Sequence, residues 1–111
     1  MNPASAQKRI AFGYNRHNDK IVLHEGQAGC VKLIFAYYDE GKSIAEIKGI
    51  LEGLGCPSPQ NKKVWGKQTI SNILSNPHYL GSAAYPKIIE QDLFDRVQAR
   101  KTKEHTRKTN P

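Results

Sequence analysis

The sequence predicts a mainly α-helical chain with small β elements, an α+β fold built around an extended helix-turn-helix and a β-hairpin. Apolar residues recur at helical spacing in four stretches. Near the N-terminus, a turn-rich segment separates two short β-prone stretches. The second and third helical stretches are joined by a longer connection than the 3–4-residue turn of a standard helix-turn-helix. The length of 111 residues suits one such domain with one modest core.

The N-terminal part combines a polar arm with the predicted hairpin. Residues 1–8 are small and polar, and we expect a flexible arm there. Residues 9–14 and 21–23 flank the turn-rich segment NRHNDK. We therefore predict a hairpin with Asn18 and Asp19 in its turn.

The first two helices are predicted from their apolar stripes and from a cap. The second helix, residues 43–54, opens on a capping box in which Ser43 and Glu46 each accept a backbone N–H of the other. The first helix, residues 25–38, has an apolar face expected to be buried, made of Ala28, Val31, Ile34, Phe35 and Tyr38.

The third predicted helix, from Lys67 to Ser75, has two unlike faces, and Pro77 stops it. Glutamine and asparagine side chains pair bidentately with adenine, and serine pairs with several base edges, so the polar face suits the major groove of DNA. An ordinary amphipathic helix packed on a core has the same pattern, and the helix alone favours that interpretation. The apolar face holds Ile70, Ile73 and Leu74, whereas the polar face holds Gln68, Ser71, Asn72 and Ser75.

The segments around this helix are predicted from prolines and polarity. We expect Trp65 to pack beneath the helix. Asn76 is as well suited to capping the helix as to contacting DNA, so it is left out of the contact set. Residues 78–86 are predicted as a strand or extended arm, and a fourth helix begins near Gln91. Residues 102–111 lack apolar side chains and are predicted as a disordered tail or linker, which leaves 9–101 as the domain.

The net charge of +7 is unevenly distributed. Residues 56–89 hold four Lys or Arg and no acidic residue, whereas residues 21–55 carry a net charge of −2. Such a gradient is typical of proteins that bind polyanions. A solvated basic surface that keeps the protein soluble is the alternative explanation.

Several classes of protein are disfavoured by the sequence. No apolar run approaches the ~18 residues of a membrane span, and the N-terminus lacks a secretory signal. The two cysteines stand apart and the four histidines are scattered, so we predict no metal site and no cofactor. No motif of a serine hydrolase, P-loop enzyme or zinc protease occurs. We therefore expect a cytoplasmic protein that does not act as an enzyme by itself.

An ordered set of motifs resembles one known family over about residues 9–101. In chain order the motifs are Phe12-Gly13-Tyr14, Ala28-x-x-Val31-x-x-Ile34-Phe35, Gly41-Lys42-Ser43-Ile44-x-x-Ile47, Leu54-Gly55-Cys56-Pro57-Ser58-Pro59 and Trp65-x-x-x-Thr69-Ile70-x-x-Ile73-Leu74-x-Asn76-Pro77-x-Tyr79-x-Gly81. Each is weak alone, but the set resembles the central "recombinase" domain of large serine recombinases, the integrases of phages and mobile elements. His24 stands where that family tends to have aspartate, which predicts a weaker helix cap.

The resemblance implies sequence-specific binding of duplex DNA at half of a recombination attachment site. It also implies a parent protein, a site-specific serine recombinase of a bacterial cell, whose catalytic serine domain and zinc-binding domain are absent from this chain. We expect the fragment to be monomeric in isolation.

The predicted DNA contacts fall into three groups. Gln68, Ser71, Asn72 and Ser75 are expected to face base edges. Lys62, Lys63, Lys67 and Thr69 are expected to hold phosphates, and Arg9 and Arg16 to reach the flanking backbone or an adjacent minor groove.

Two other binding functions remain as alternatives. A protein-interaction module with an incidental basic surface would bind without the steep salt dependence that phosphate contacts cause. RNA binding usually exposes aromatic side chains for stacking on single strands, but the aromatic residues here lie in apolar patterns.

Overall fold

The structure, a computed structural model, describes residues 10–109 and the side chains of residues 10–103. The predicted arm and Arg9 lie outside the described residues. A mainly helical α+β arrangement with one hairpin is present, as the sequence predicted. Its elements are β1 (Tyr14–His17), β2 (Lys20–Leu23), α1 (Glu25–Glu40), α2 (Ile44–Leu54), α3 (Lys67–Leu74), a 3-10 helix (Pro77–Leu80) and α4 (Gln91–Thr109).

The hairpin forms at the predicted turn, but its first strand was predicted too early. Asn18 and Asp19 both adopt positive φ, 50° and 66°, which is the geometry of a two-residue turn between twisted antiparallel strands. The strand begins at Tyr14 because Gly13, with φ of 109°, turns the chain onto the core. A Cβ at that glycine would lie 3.1 Å from Ile88 Cδ1, a tight contact, and the positive φ strains any other residue, so glycine suits this position best.

Side-chain caps fix the starts of α1 and α2. The predicted capping box is present: Ser43 N–H donates to Glu46 Oε1 at 2.8 Å, and Glu46 N–H donates to Ser43 Oγ at 3.1 Å. His24 also caps its helix, because its Nδ1 accepts the N–H of Gln27 at 3.1 Å. A weaker cap was predicted because histidine replaces aspartate, but the imidazole nitrogen still supplies the capping acceptor.

The core lies where the apolar faces of the four helices meet, and Trp65, which directly precedes Gly66 and α3, is buried in it. The indole is 1% exposed, and its Nε1 donates to the carbonyl of Cys56 at 2.8 Å. Phe12 meets the indole edge-on, with 5.5 Å between ring centroids. Burial of Trp65 in the core is therefore present, whereas its packing beneath α3 stays a prediction.

Residues 78–86 were predicted as a strand or extended arm, but the first three of them belong to a 3-10 helix, Pro77–Leu80, and the rest are irregular. Asn76 caps this 3-10 helix, since its Oδ1 accepts the N–H of His78 at 2.9 Å. The carbonyl of Tyr79 then accepts the N–H groups of Ile88 and Ile89, at 2.8 and 2.9 Å. These bonds fold the chain between Tyr79 and Ile88 back on itself, and the described residues form no strand there.

Helix α4 is longer than the sequence predicted, since it continues eight residues beyond Lys101 to Thr109. Residues 98–109 are rich in good helix formers such as Lys, Arg, Gln and Glu. Their intrinsic helix propensity allows the helix to continue without an apolar face. The guanidinium of Arg100 stacks on the ring of Tyr38 and donates to the carbonyls of Tyr38, Gly41 and Lys42 at the end of α1. The use of residues 102–111 as a tail or linker stays a prediction.

Candidate nucleic-acid interface

The polar face of α3 is turned to solvent while its apolar face is buried. Ile70, Ile73 and Leu74 are at most 5% exposed. Gln68 and Asn72 are exposed, and Gln68 Nε2 donates to Asn72 Oδ1 at 2.9 Å. The two amides one turn apart thus form a single hydrogen-bonding unit on the surface.

The two serines of this face are held by a residue of α4 that the sequence analysis missed. Lys101 Nζ donates to the carbonyl of Ser71 at 2.9 Å, to Ser71 Oγ at 3.0 Å and to Ser75 Oγ at 2.5 Å. Partial burial lowers the pKa of Lys101 below its usual value. Ser71 is half-buried on the side facing α4, whereas Ser75 is exposed. The contact joins residues 30 positions apart, so no local sequence pattern predicts it.

A second residue of α4 fixes the end of the same helix. Gln98 Nε2 donates to the carbonyl of Leu74 at 2.6 Å. The last carbonyls of a helix lack intrahelical partners, so this bond caps α3. Gln98 and Lys101 together tie the C-terminal half of α3 to α4.

The N-terminal end of α3 is electropositive. Its N-cap is Gly66, which provides no side-chain hydrogen bond, so the first-turn N–H groups have no side-chain cap. The positive end of the helix dipole lies there. Lys67 is exposed in the first turn, and Lys62 and Lys63 are exposed just before it.

The loop that carries two of these lysines is held in shape by Ser58, which is 3% exposed. Its Oγ accepts the N–H groups of Gln60 and Lys62, at 3.3 and 3.2 Å. Its own N–H donates to the carbonyl of Lys62 at 2.9 Å. The loop therefore presents Lys62 and Lys63 from a closed backbone turn rather than from an open arm.

An open cavity of about 390 Å³ flanks the other side of α3. Thr69, which is half-buried, and Asn72 line it together with residues 10–12 and the side chains of Pro59 and Gln60. Thr69 is thus on the flank opposite Lys101. The structure brings together eight of the ten predicted contact residues on or directly before α3: Lys62, Lys63, Lys67, Gln68, Thr69, Ser71, Asn72 and Ser75.

The two predicted arginine contacts are not shown to join this group. Arg16 is exposed on β1, which packs against β2 and α1. Arg9 lies outside the described residues. Contact of either arginine with DNA therefore stays a prediction.

Other site chemistries find no support in the part of the chain that the structure describes. Among residues 10–103, no three His, Cys, Asp or Glu side chains group as a metal ligand set. No described helix combines the length and the apolar character that crossing a membrane requires. Cys30 and Cys56 are free thiols, and burial first, then the neighbouring Cys56, raises the pKa of Cys30 to about 12.

Comparison with known proteins identifies the family of this chain. The family model named Recombinase matches residues 25–104, which is most of the chain. The chain belongs to the Recombinase family. This match confirms the resemblance to the recombinase domain of large serine recombinases. Among curated protein sequences, no significant match to this chain is found.

Two solved structures resemble this recombinase domain. One is described as the crystal structure of an LSR–DNA complex, where LSR denotes large serine recombinase: 28% identity, TM-score 0.68, covering 86% of this chain and 32% of that one. The other concerns the sequence requirements of the Listeria innocua prophage attP site: 28% identity, TM-score 0.69, covering 86% of this chain and 43% of that one. The recombinase domain therefore spans less than half the length of either structure.

Proposed function

We propose that this recombinase domain binds one half of a recombination attachment site in duplex DNA, with α3 in the major groove. The observation that carries the proposal is the surface of α3, where exposed amides and hydroxyls follow directly on three lysines. The 34 residues from 56 to 89 contain no acidic side chain that would repel phosphate. Both similar solved structures are described in terms of DNA, one as a complex and one by a prophage attP site.

Base recognition is assigned to Gln68, Asn72, Ser71 and Ser75. The amides of Gln68 and Asn72 offer a donor and an acceptor side by side, the pattern that matches N7 and N6 of adenine. The hydroxyls of Ser71 and Ser75 extend the same surface toward α4. An α-helix fits into the major groove, so all four side chains would reach base edges from one docking position.

Phosphate contacts are assigned to the start of α3 and the loop before it. Lys62, Lys63 and Lys67 are exposed cations there, and the uncapped first turn adds its helix dipole. Thr69 on the opposite flank supplies a hydroxyl to the second strand of the groove. Arg9 and Arg16 are proposed to extend the contacts to the flanking backbone or minor groove. Such contacts position the domain, whereas the amides and hydroxyls specify the sequence.

The domain is proposed to act as the binding part of a serine recombinase whose cleavage chemistry is supplied by a separate catalytic domain. A zinc-binding domain of the same parent protein would bind the same half-site at a second place. Linked modules raise overall affinity through effective concentration. We therefore expect the isolated domain to be a weak, monomeric and catalytically inactive DNA binder, acting in the bacterial cytoplasm.

A protein-interaction module is the alternative function. It would use the same exposed amides on a protein surface, and its affinity would respond little to salt. Binding of single-stranded RNA is less well supported. Trp65, Tyr38, Tyr79 and Phe35 are each at most 1% exposed, so these large aromatic rings are unavailable for stacking on bases.

The test is selection of bound duplexes from a random DNA library at near-physiological salt, using the purified domain. We expect an enriched motif of a few base pairs that is lost in Gln68→Ala. Gln91→Ala is the matched control, because Gln91 is an exposed glutamine at the start of α4 and should leave the motif intact. Salt-sensitive binding without a motif would contradict base reading by α3. No binding by a folded sample at low salt would favour the protein-interaction module.

A further inference from the structure

We propose that Lys101 makes Ser71 and Ser75 hydrogen-bond donors toward DNA, so that α3 selects base edges that accept. The proposal rests on the proposed function, because it assigns a polarity to two of the contacts that α3 would make. It adds a specificity-determining residue that lies on α4 and would touch no base itself.

The hydrogen bonds of Lys101 fix which partner donates. An ammonium group carries three N–H donors and no acceptor. Lys101 Nζ has three oxygen partners within 3.0 Å, namely the carbonyl of Ser71 and the hydroxyl oxygens of Ser71 and Ser75. Each hydroxyl oxygen must therefore act as an acceptor toward Lys101. Unlike the orientation of an amide, this assignment involves no ambiguity between oxygen and nitrogen.

The protons of the two hydroxyls are then directed away from Lys101. Within residues 10–103, neither Ser71 nor Ser75 donates its hydroxyl proton to a protein acceptor. Ser75 is exposed, and Ser71 is half-buried at the edge of the same surface. The available direction for both protons is the solvent in front of α3, where the proposed DNA would lie.

A hydroxyl with this polarity discriminates among base edges. In the major groove, N7 of both purines, O6 of guanine and O4 of thymine accept hydrogen bonds, whereas N4 of cytosine and N6 of adenine donate. A serine free to rotate can meet either kind, since its hydroxyl both donates and accepts. Held by Lys101, Ser71 and Ser75 favour the accepting edges. A donating amino group would find only the one remaining lone pair of each hydroxyl oxygen, and its positively polarised hydrogens would lie beside the positive charge of the ammonium.

Lys101 differs in this respect from the lysines before α3. Lys62, Lys63 and Lys67 are exposed and project from the start of the helix, whereas Lys101 is half-buried with its three donors in use. Its removal should therefore change sequence preference without changing the number of phosphate contacts. Salt dependence and base preference separate the two roles, because only phosphate contacts release counterions.

The experiment compares Lys101→Met with the wild-type domain on the selected motif and on every single-base variant of it. Methionine keeps a long apolar side chain but removes the donors. We expect the ratio of affinities for the preferred and the other bases to fall about 3- to 10-fold at one or two positions, which is the range of one net hydrogen bond. The slope of log affinity against log salt should stay unchanged. Lys103→Met, an exposed lysine on the same helix, is the matched control and should leave the preference intact.

Two further variants keep the test independent of the folding of Lys101→Met. Ser75→Ala removes a donor and should relax the same position. Combining it with Lys101→Met should add nothing further at that position. Lys101→Arg retains N–H donors and should restore part of the preference. Thermal melting followed by circular dichroism checks that each variant is folded.

Four outcomes would overturn the inference. A salt slope that falls by ~0.9 in Lys101→Met would make Lys101 a phosphate contact. Equal weakening of all sequences would reduce its role to general support of α3. Relaxation at different positions in Ser75→Ala and Lys101→Met would remove the link between the two residues. If the wild-type domain selects no motif, the proposed function itself fails, whereas an intact motif in Lys101→Met refutes only the role of Lys101.

Discussion

The carboxylate of Glu52 accepts the backbone N–H of Trp65 at 2.8 Å, across 13 residues of sequence. The same oxygen, Oε2, accepts a bond from Lys48 Nζ at 2.6 Å. Trp65 immediately precedes Gly66, the N-cap of α3. One charged side chain of α2 therefore fixes the point at which the chain enters α3, and Lys48 holds that side chain in place.

This arrangement predicts acid sensitivity. The hydrogen bond from Lys48 and then that from Trp65 lower the pKa of Glu52. A lowered pKa in the folded state contributes stability above the unfolded pKa, and this stability is lost as the pH falls through the folded value. We expect the melting temperature of Glu52→Gln to fall less than that of wild type between pH 7 and pH 3. Glu40→Gln, an exposed carboxylate at the end of α1, is the control, and parallel curves for wild type and Glu52→Gln would contradict the prediction.

Two buried tyrosines predict a loss of stability at alkaline pH. Burial, and then the neighbouring Tyr85, raise the pKa of Tyr14 to about 12. Burial, and then Tyr14, raise the pKa of Tyr79 above its ordinary value. Raised values in the folded state mean that stability is intact below about pH 10 and is lost as the pH rises through the folded values.

Absorbance at 295 nm and circular dichroism, recorded during one alkaline titration, measure this effect. We expect part of the tyrosinate signal to appear only together with loss of helix. Tyr14→Phe should reduce that late component. Titration of all five tyrosines near pH 10 with the helix intact would contradict the prediction.

Substitutions at the proposed DNA surface should separate base contacts from phosphate contacts. Asn72→Ala should relax specificity at one base pair and cost about 1–3 kcal/mol on the preferred base there. Lys62→Ala should weaken all sequences alike and reduce the salt slope by ~0.9. Binding titrations on the selected motif and its single-base variants measure both. If Asn72→Ala weakens every sequence equally, α3 does not read bases through that residue.

Two glycines in open surroundings should respond oppositely to alanine. Gly41 ends α1 with φ of 113°, and no atom lies within 4 Å of where its Cβ would be. Gly41→Ala should therefore destabilise by about 1–2 kcal/mol through backbone strain alone. Gly49 lies inside α2 with equally open space, so Gly49→Ala should stabilise by about 1 kcal/mol. Urea denaturation measures both, and equal signs for the two variants would contradict the argument.

The sequence predicted those elements whose cause is local. The capping box needs only Ser43 and Glu46, the hairpin turn needs only Asn18 and Asp19, and the faces of α3 follow from spacing. The candidate site residues on α3 could be named from the sequence for the same reason, because polarity along one short helix is visible there; their contact with DNA stays a prediction.

The errors concern contacts between distant residues. The early start of β1 was predicted because the close approach of Gly13 to Ile88 has no signature near residue 13. The course of the chain after the 3-10 helix follows bonds from Ile88 and Ile89 back to the carbonyl of Tyr79. Lys101 was read as the edge of the domain because its serine partners lie 26 and 30 positions away. Helix propensity and polarity predict the local structure of a segment, but they do not predict which distant residues it contacts.

For retargeting the proposed DNA-reading surface to a new sequence, the Lys101 contacts divide the positions of α3 into groups that need to be varied together. Gln68 and Asn72 bond to each other on the surface, so a library can randomise these two positions as a pair. Ser71 and Ser75 share one cation with α4, and bulky replacements there would strand a half-buried ammonium without acceptors. Positions 71, 75 and 101 therefore need to be varied together as a triplet. A library that varies only α3 would lose many useful combinations at positions 71 and 75, because these combinations are incompatible with Lys101 on α4.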